Sequence, residues 1–170
     1  MISIIRNIFL FLLSNVCLSG YVTAQNPVVQ QIVNDVSIDS LTKFVRELTG
    51  ETQVFVSGKF DTIRSRHKNA PGNEKAFQYI KQKFIGYGLK VDSLQFSTTG
   101  KNILSVLPGT LYPNKKYIIG AHYDAMPPYP DFADAPGASD NASGTVAVIE
   151  AARIFRHYKF PYTIIFALWD

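Results

Sequence analysis

Residues 117–124, Tyr-Ile-Ile-Gly-Ala-His-Tyr-Asp, decide how the rest of the chain is read. Tyr117 to Ala121 is an apolar run of strand length that delivers His122 and Asp124 at its C-terminal end. A Pro-rich loop follows, and then Pro136-Gly137-Ala138-Ser139-Asp140-Asn141-Ala142-Ser143-Gly144-Thr145 opens a helix. Residues two apart on a strand point the same way, so His122 and Asp124 face one cavity at the sheet edge. Neutral imidazole is a common zinc ligand, and a carboxylate beside it fixes the tautomer and orients the ring. A carboxylate at Asp140 is placed to bind one metal ion or to bridge two, with the small residues Ala142, Ser143 and Gly144 letting the helix approach the sheet. Taken singly, His122 reads as a satisfied strand-edge histidine and Asp140 as a helix cap. Taken together, in this order and on these elements, they favour a metal site.

Outward from this stretch, Thr145 to Tyr158 has a helical period, with Val146, Ile149, Ala152, Ile154 and Phe155 on the apolar side and Arg153, Arg156 and His157 facing out. Thr163 to Trp169 is a second apolar strand, so 116–169 forms a βαβ unit with parallel strands and a right-handed crossover. Upstream, strands are expected around Leu89–Phe96 and Asn102–Leu107, and a helix from an Asn73 cap to a Gly88 stop that buries Ala76, Phe77, Ile80, Phe84 and Tyr87. Gln25 to Gly50 reads as two short helices or one with a bend near Val36 to Ser40. Residues 52–69 show no period, and Arg64-Ser65-Arg66-His67-Lys68 reads as a solvated basic loop. The fold class is α/β, a mixed, mostly parallel sheet with helices on both faces, because the strand at 116–121 is nearly continuous in apolar residues. Functional residues in such sheets sit beyond the strands' carboxyl ends. A chain stopping at Asp170 is therefore expected to hold 25–170 as the N-terminal part of one catalytic domain whose C-terminal half is missing.

A hydrophobic content of 46% and a charged content of 18% exclude disorder. The formal charge of +4 suggests nucleic acid, but the basic residues are dispersed and no helix carries a basic stripe, so none is expected to bind. Arg6, the apolar run Ile8 to Leu13, and Val22-Thr23-Ala24 before Gln25 read as a cleavable signal peptide over 1–24. The run is well short of the ~20 residues of a membrane span, so no stable anchor is expected and the protein is read as secreted or periplasmic. The single cysteine, Cys17, lies within that segment and leaves the mature chain without a thiol, which excludes disulfides and cysteine nucleophiles.

Ala121-His122-Tyr123-Asp124, the segment Pro136 to Gly144, and the helix and strand that follow resemble the secreted di-zinc aminopeptidases, a metallopeptidase family that includes aminopeptidase Y, bacterial leucyl aminopeptidase and the glutamate carboxypeptidases. The resemblance implies a three-layer αβα fold of zinc-exopeptidase type. It implies that His122 ligates one zinc, that Asp140 bridges two, and that Asp124 orients His122. It also implies a cis peptide before Asn141 that aims Asp140 at the metals. The family's Glu-Glu pair, whose first member is the general base, follows the strand that here ends at Trp169-Asp170, and a later Asp and His complete the site. None of these is in the sequence, and Asp170 takes none of their roles. The implied activity is hydrolysis of N-terminal residues from peptides with a free N-terminus, through a water activated by two Zn2+. This chain alone is expected to be inactive; its oligomeric state is not legible.

Three other readings compete. Glutaminyl cyclases share the fold and keep one zinc, although Asn141-Ala142-Ser143-Gly144 looks more like the two-zinc enzymes. A non-catalytic peptidase-like ectodomain usually loses the ligands that are kept here. A serine hydrolase lacks its elbow, since neither Ser139 nor Ser143 is flanked by glycines two residues apart. Asn141-Ala142-Ser143 fits a glycosylation sequon but is read as coincidence, between a metal ligand and a packed helix. Asp131 and Asp134 read as solvated acids in a substrate-rim loop with Tyr129 and Phe132, and His157 as exposed.

Overall fold

The computed structural model describes residues 26–127 and 132–170. The expected signal peptide at 1–24, and Tyr129 and Asp131 of the rim loop, lie outside the described residues. No described helix is long and apolar enough to cross a membrane. The chain divides into two units, 1–34 and 35–170. In the first, α1 (Pro27–Asn34) starts where the Asn26 side chain accepts the Val28 N–H at 2.9 Å, and Gln30 donates to Asn34 one turn on.

The second unit opens with α2 (Ile38–Leu48), whose Ser37 hydroxyl accepts the Ser40 N–H at 3.1 Å. The two-helix reading of the N-terminal region holds. A hairpin follows, β1 (Val54–Val56) and β2 (Lys59–Asp61), turned by Ser57 and Gly58 with positive φ. Strands of three residues are too short to show a period, which is why the sequence leaves this segment irregular. Helix α3 (Pro71–Gly86) begins at Ala70, with Pro71 in the first turn, where its missing N–H costs nothing. Asn73 is therefore not the cap: it is buried in the first turn, and its amide donates to the Arg66 carbonyl at 3.0 Å and to Asp170 Oδ1 at 2.7 Å.

The sheet consists of β3 (Lys90–Gln95), β4 (Lys101–Leu107), β5 (Tyr112–His122) and β6 (Tyr162–Trp169), with α4 (Ser143–Phe155) connecting the last two. The strand order is β3-β4-β6-β5; β3/β4 and β4/β6 are antiparallel and β5/β6 is parallel, as the strand-helix-strand reading requires. The sheet is mixed, but the expected majority of parallel pairs is not reached within these strands, because β3 and β4 are neighbours in sequence and pair as a hairpin.

One core joins the helices to one face of the sheet. Phe44 and Leu48 of α2, Ala76, Phe77, Ile80 and Phe84 of α3, and Val146, Ile149 and Ala152 of α4 pack with Ile103, Ile164, Phe166 and Leu168. Each such large side chain contributes roughly 1.5–3 kcal/mol by leaving water. On the other face Ile118, Leu94 and Trp169 are 61, 58 and 39% exposed. Among the described residues of 35–170, helical cover is thus met on one face only.

Glu150 ties α4 to the start of α2. It is buried, and it accepts the Ser37 N–H at 2.8 Å and the Arg153 guanidinium at 2.6 and 2.7 Å. Arg153, expected to face out, is half-buried and also donates to the Asp35 carbonyl. Burial pushes the Glu150 carboxyl up, but the Arg153 and Ser37 hydrogen bonds outweigh it, and the net shift is below the ordinary 4.5. A depressed folded pKa contributes stability that is present above about pH 4.5 and lost as pH falls through the folded value. Glu150→Gln is expected to cost ~1.5–3 kcal/mol at pH 7, and less toward pH 3. Urea unfolding at the two pH values checks this; an equal loss at both would refute the charge-based account.

Candidate metal centre

β5 ends with His122 opposite Trp169 of β6, and the Tyr123 N–H continues the ladder to the Trp169 carbonyl at 2.7 Å. The Thr145 hydroxyl of α4 donates to the His122 carbonyl at 2.8 Å, locking strand end to helix start. Tyr123 points inward, fully buried, with its hydroxyl donating to the Lys101 carbonyl at 2.8 Å. By alternation His122 and Asp124 share the opposite side, and Asp124 Oδ1 lies 2.9 Å from His122 Nδ1.

Asp140 reaches the same spot from the loop before α4. Gly137 takes φ +50°, the Asp140–Asn141 peptide is cis, and both residues have non-helical backbone angles. The Asn141 side chain accepts the Gly144 N–H at 3.0 Å in the first turn of α4. Asn141 therefore does the capping, and the Asp140 carboxylate is released, 89% exposed, with Oδ1 3.0 Å from His122 Nε2. All three residues singled out in the sequence are brought together.

The donor set fits a zinc ion. In the tautomer whose Nδ1–H donates to Asp124, the Nε2 lone pair faces a carboxylate oxygen. Two acceptors this close need a proton or a cation to reconcile them. Two ligands of one tetrahedral zinc lie about 3.4 Å apart, close to the 3.0 Å seen here. They make only half of a tetrahedral shell, and no cluster of three or more His, Cys, Asp or Glu that could hold a metal occurs among the described residues. Asp170 is engaged elsewhere: its two oxygens accept from Asn73 at 2.7 Å and from the Lys101 N–H at 3.1 Å. Burial raises its carboxyl above the usual range against these hydrogen bonds.

The basic segment at 64–68 corrects the sequence reading. Arg64 and Lys68 are exposed, but Ser65, Arg66 and His67 are buried. Ser65 bridges Ala135, the Arg66 N–H donates to the Ala135 carbonyl at 3.3 Å, and the Ala125 N–H donates to the Arg66 carbonyl at 3.2 Å. The His67 ring stacks on Phe132 at 4.2 Å, and the Ser65 hydroxyl donates to the Phe132 carbonyl, so Phe132 is fastened to this segment. Burial pushes the Arg66 guanidinium down to about 10, against the charge of Asp124. No residue pattern around Arg66 marks it in the sequence. Asp134 and His157 are exposed, as read.

The profile of peptidase family M28 matches residues 102–170. A probable zinc metalloprotease of Pyrenophora teres f. teres is 30% identical over 151 residues, covering 81% of this chain and 32% of the relative. Leucine aminopeptidase 1 of Paracoccidioides brasiliensis (strain Pb03) is 33% identical over 104 residues, 56% of this chain and 26% of the relative. The chain thus spans about a third of the length of these curated relatives. Among solved structures, a Zn-dependent exopeptidase from Parabacteroides distasonis superposes with TM-score 0.62 at 20% identity, covering 80% of this chain and 47% of that one. The glutaminyl cyclase of Fimbriiglobus ruber gives 0.61 at 20% identity, covering 79 and 45%. The fold is that of the zinc exopeptidases, a mixed sheet with flanking helices.

Proposed function

We propose that this chain, which belongs to peptidase family M28, carries part of the zinc site of a metallo-aminopeptidase that removes N-terminal residues from peptides. The observation that carries this reading is the convergence of His122 Nε2 and Asp140 Oδ1 at 3.0 Å, with Nδ1 already committed to Asp124. His122 and Asp140 would hold zinc, as part of a two-ion site. Bound zinc supplies an acidified water and polarises the scissile carbonyl. Asp124 accepts the Nδ1–H hydrogen bond, keeps the ring in one tautomer and raises the basicity of Nε2. Thr145 fixes the main chain at His122. The general base is not among these residues, so the 170-residue polypeptide alone is proposed to bind zinc weakly and to hydrolyse nothing. The substrate is a peptide with a free N-terminus, the protein is exported, and nucleic acid is not involved.

The glutaminyl cyclase likeness in fold keeps a second reading in play, a single-zinc enzyme that cyclises N-terminal glutamine. Metal analysis of the complete protein, with leucyl-amide and glutaminyl-peptide substrates assayed side by side, separates the two. Two zinc per chain with amide hydrolysis is the expected result; one zinc with cyclisation and no hydrolysis would overturn it. Asp124→Asn is expected to weaken zinc binding about 10–100-fold while leaving the metal-free fold intact, as read by chelator competition.

A further inference from the structure

Arg66 is fully buried, and its hydrogen bonds all go to main-chain carbonyls. Nε donates to Tyr123 at 2.7 Å, one NH2 group to Leu48 at 2.7 Å and Pro136 at 2.5 Å, and the other to Gly137 at 2.9 Å. The Tyr123 carbonyl lies between His122 and Asp124, and Pro136 and Gly137 lead directly to Asp140. One planar group therefore spans the two segments that present the site, and its third anchor is the last turn of α2, where carbonyls lack helical partners. Gly137 permits the approach: a Cβ there would lie 3.0 Å from the guanidinium nitrogen and 2.6 Å from Ala125 Cβ. The main chain of Arg66 binds the same two segments, through Ala125 and Ala135. A guanidinium offers five donors in a rigid fork, whereas an ammonium offers three from one atom and cannot span them.

We propose that Arg66 is a positioning residue of the zinc site, setting the separation between the His122–Asp124 segment and the Asp140 loop and thereby the affinity for metal. The proposal rests on the reading of His122 and Asp140 as zinc ligands. A purely structural side chain contributes to stability alone; a positioning one contributes to metal affinity beyond its share of stability.

The test uses the complete protein, with zinc affinity from chelator competition and thermal unfolding of the metal-free form in EDTA. Arg66→Lys and Arg66→Met are compared with Ile80→Val, a core substitution remote from the site. Zinc affinity is expected to fall about 10–100-fold in both Arg66 variants and to stay within about twofold in Ile80→Val. Lysine is expected not to rescue. An Arg66 variant that folds and binds zinc as the parent does overturns the proposal. If neither Arg66 variant folds, Gly137→Ala carries the test, with about tenfold weaker binding expected in a cooperatively unfolding protein and parental affinity overturning it. A parent that binds no zinc removes the metal reading itself, and the proposal with it.

Discussion

His122→Ala and Asp140→Asn are each expected to lower zinc-dependent kcat/KM of the complete protein by at least about a thousandfold, the several kcal/mol that a catalytic metal ion supplies. With Nδ1 held by Asp124 at 2.9 Å, Nε2 is the only ring nitrogen left for the metal, so its removal has no local substitute. Asparagine keeps the shape of Asp140 but removes the charge that balances the ion. Asp140 is 89% exposed, so its loss has little effect on packing, and the metal-free melting temperature should move by no more than about 2 °C. Activity, zinc content and melting temperature are measured on the same preparation. Either variant retaining activity within about tenfold of the parent, with zinc bound, would sink the assignment of that residue.

Gly72→Ala is expected to destabilise the protein by about 3 kcal/mol and to lower its melting temperature by roughly 6–12 °C. Gly72 is buried in the first turn of α3, where an added Cβ would lie 2.1 Å from the Ser65 carbonyl oxygen and 3.0 Å from its carbon. These are backbone atoms, so no rotamer change relieves the overlap and the helix must move off the 65–67 segment. Because that segment carries Arg66, zinc affinity should fall along with stability. A melting temperature within about 2 °C of the parent would show that the contact is looser than the structure has it.

Much of the site is legible because its logic is local. The alternation of a strand puts His122 and Asp124 on one side and Tyr123 on the other whatever surrounds them, and the apolar runs on either side of a helical period imply the parallel pair β5/β6. Asp140 ahead of a helix is also visible, but its release from capping is not, since that depends on Asn141 taking the Gly144 N–H. The hairpin at 54–61 escapes because three-residue strands carry no period. Asn73 looks like a cap because its type favours that role, and the tertiary structure overrides this by surrounding it with Arg66 and Asp170.

What the sequence determined by itself is the identity and order of His122, Asp124 and Asp140 and the shared facing of the first two, together with the elements that carry them. Only the tertiary structure decided what holds them at working distance. Arg66 reads as one more basic residue in a solvated loop, yet it binds carbonyls 57 and 71 positions further along the chain. Every residue type carries the same main-chain carbonyl, so a side chain that binds carbonyls leaves no mark on the sequence of its partners. Its role emerges only once the fold has brought those carbonyls around it.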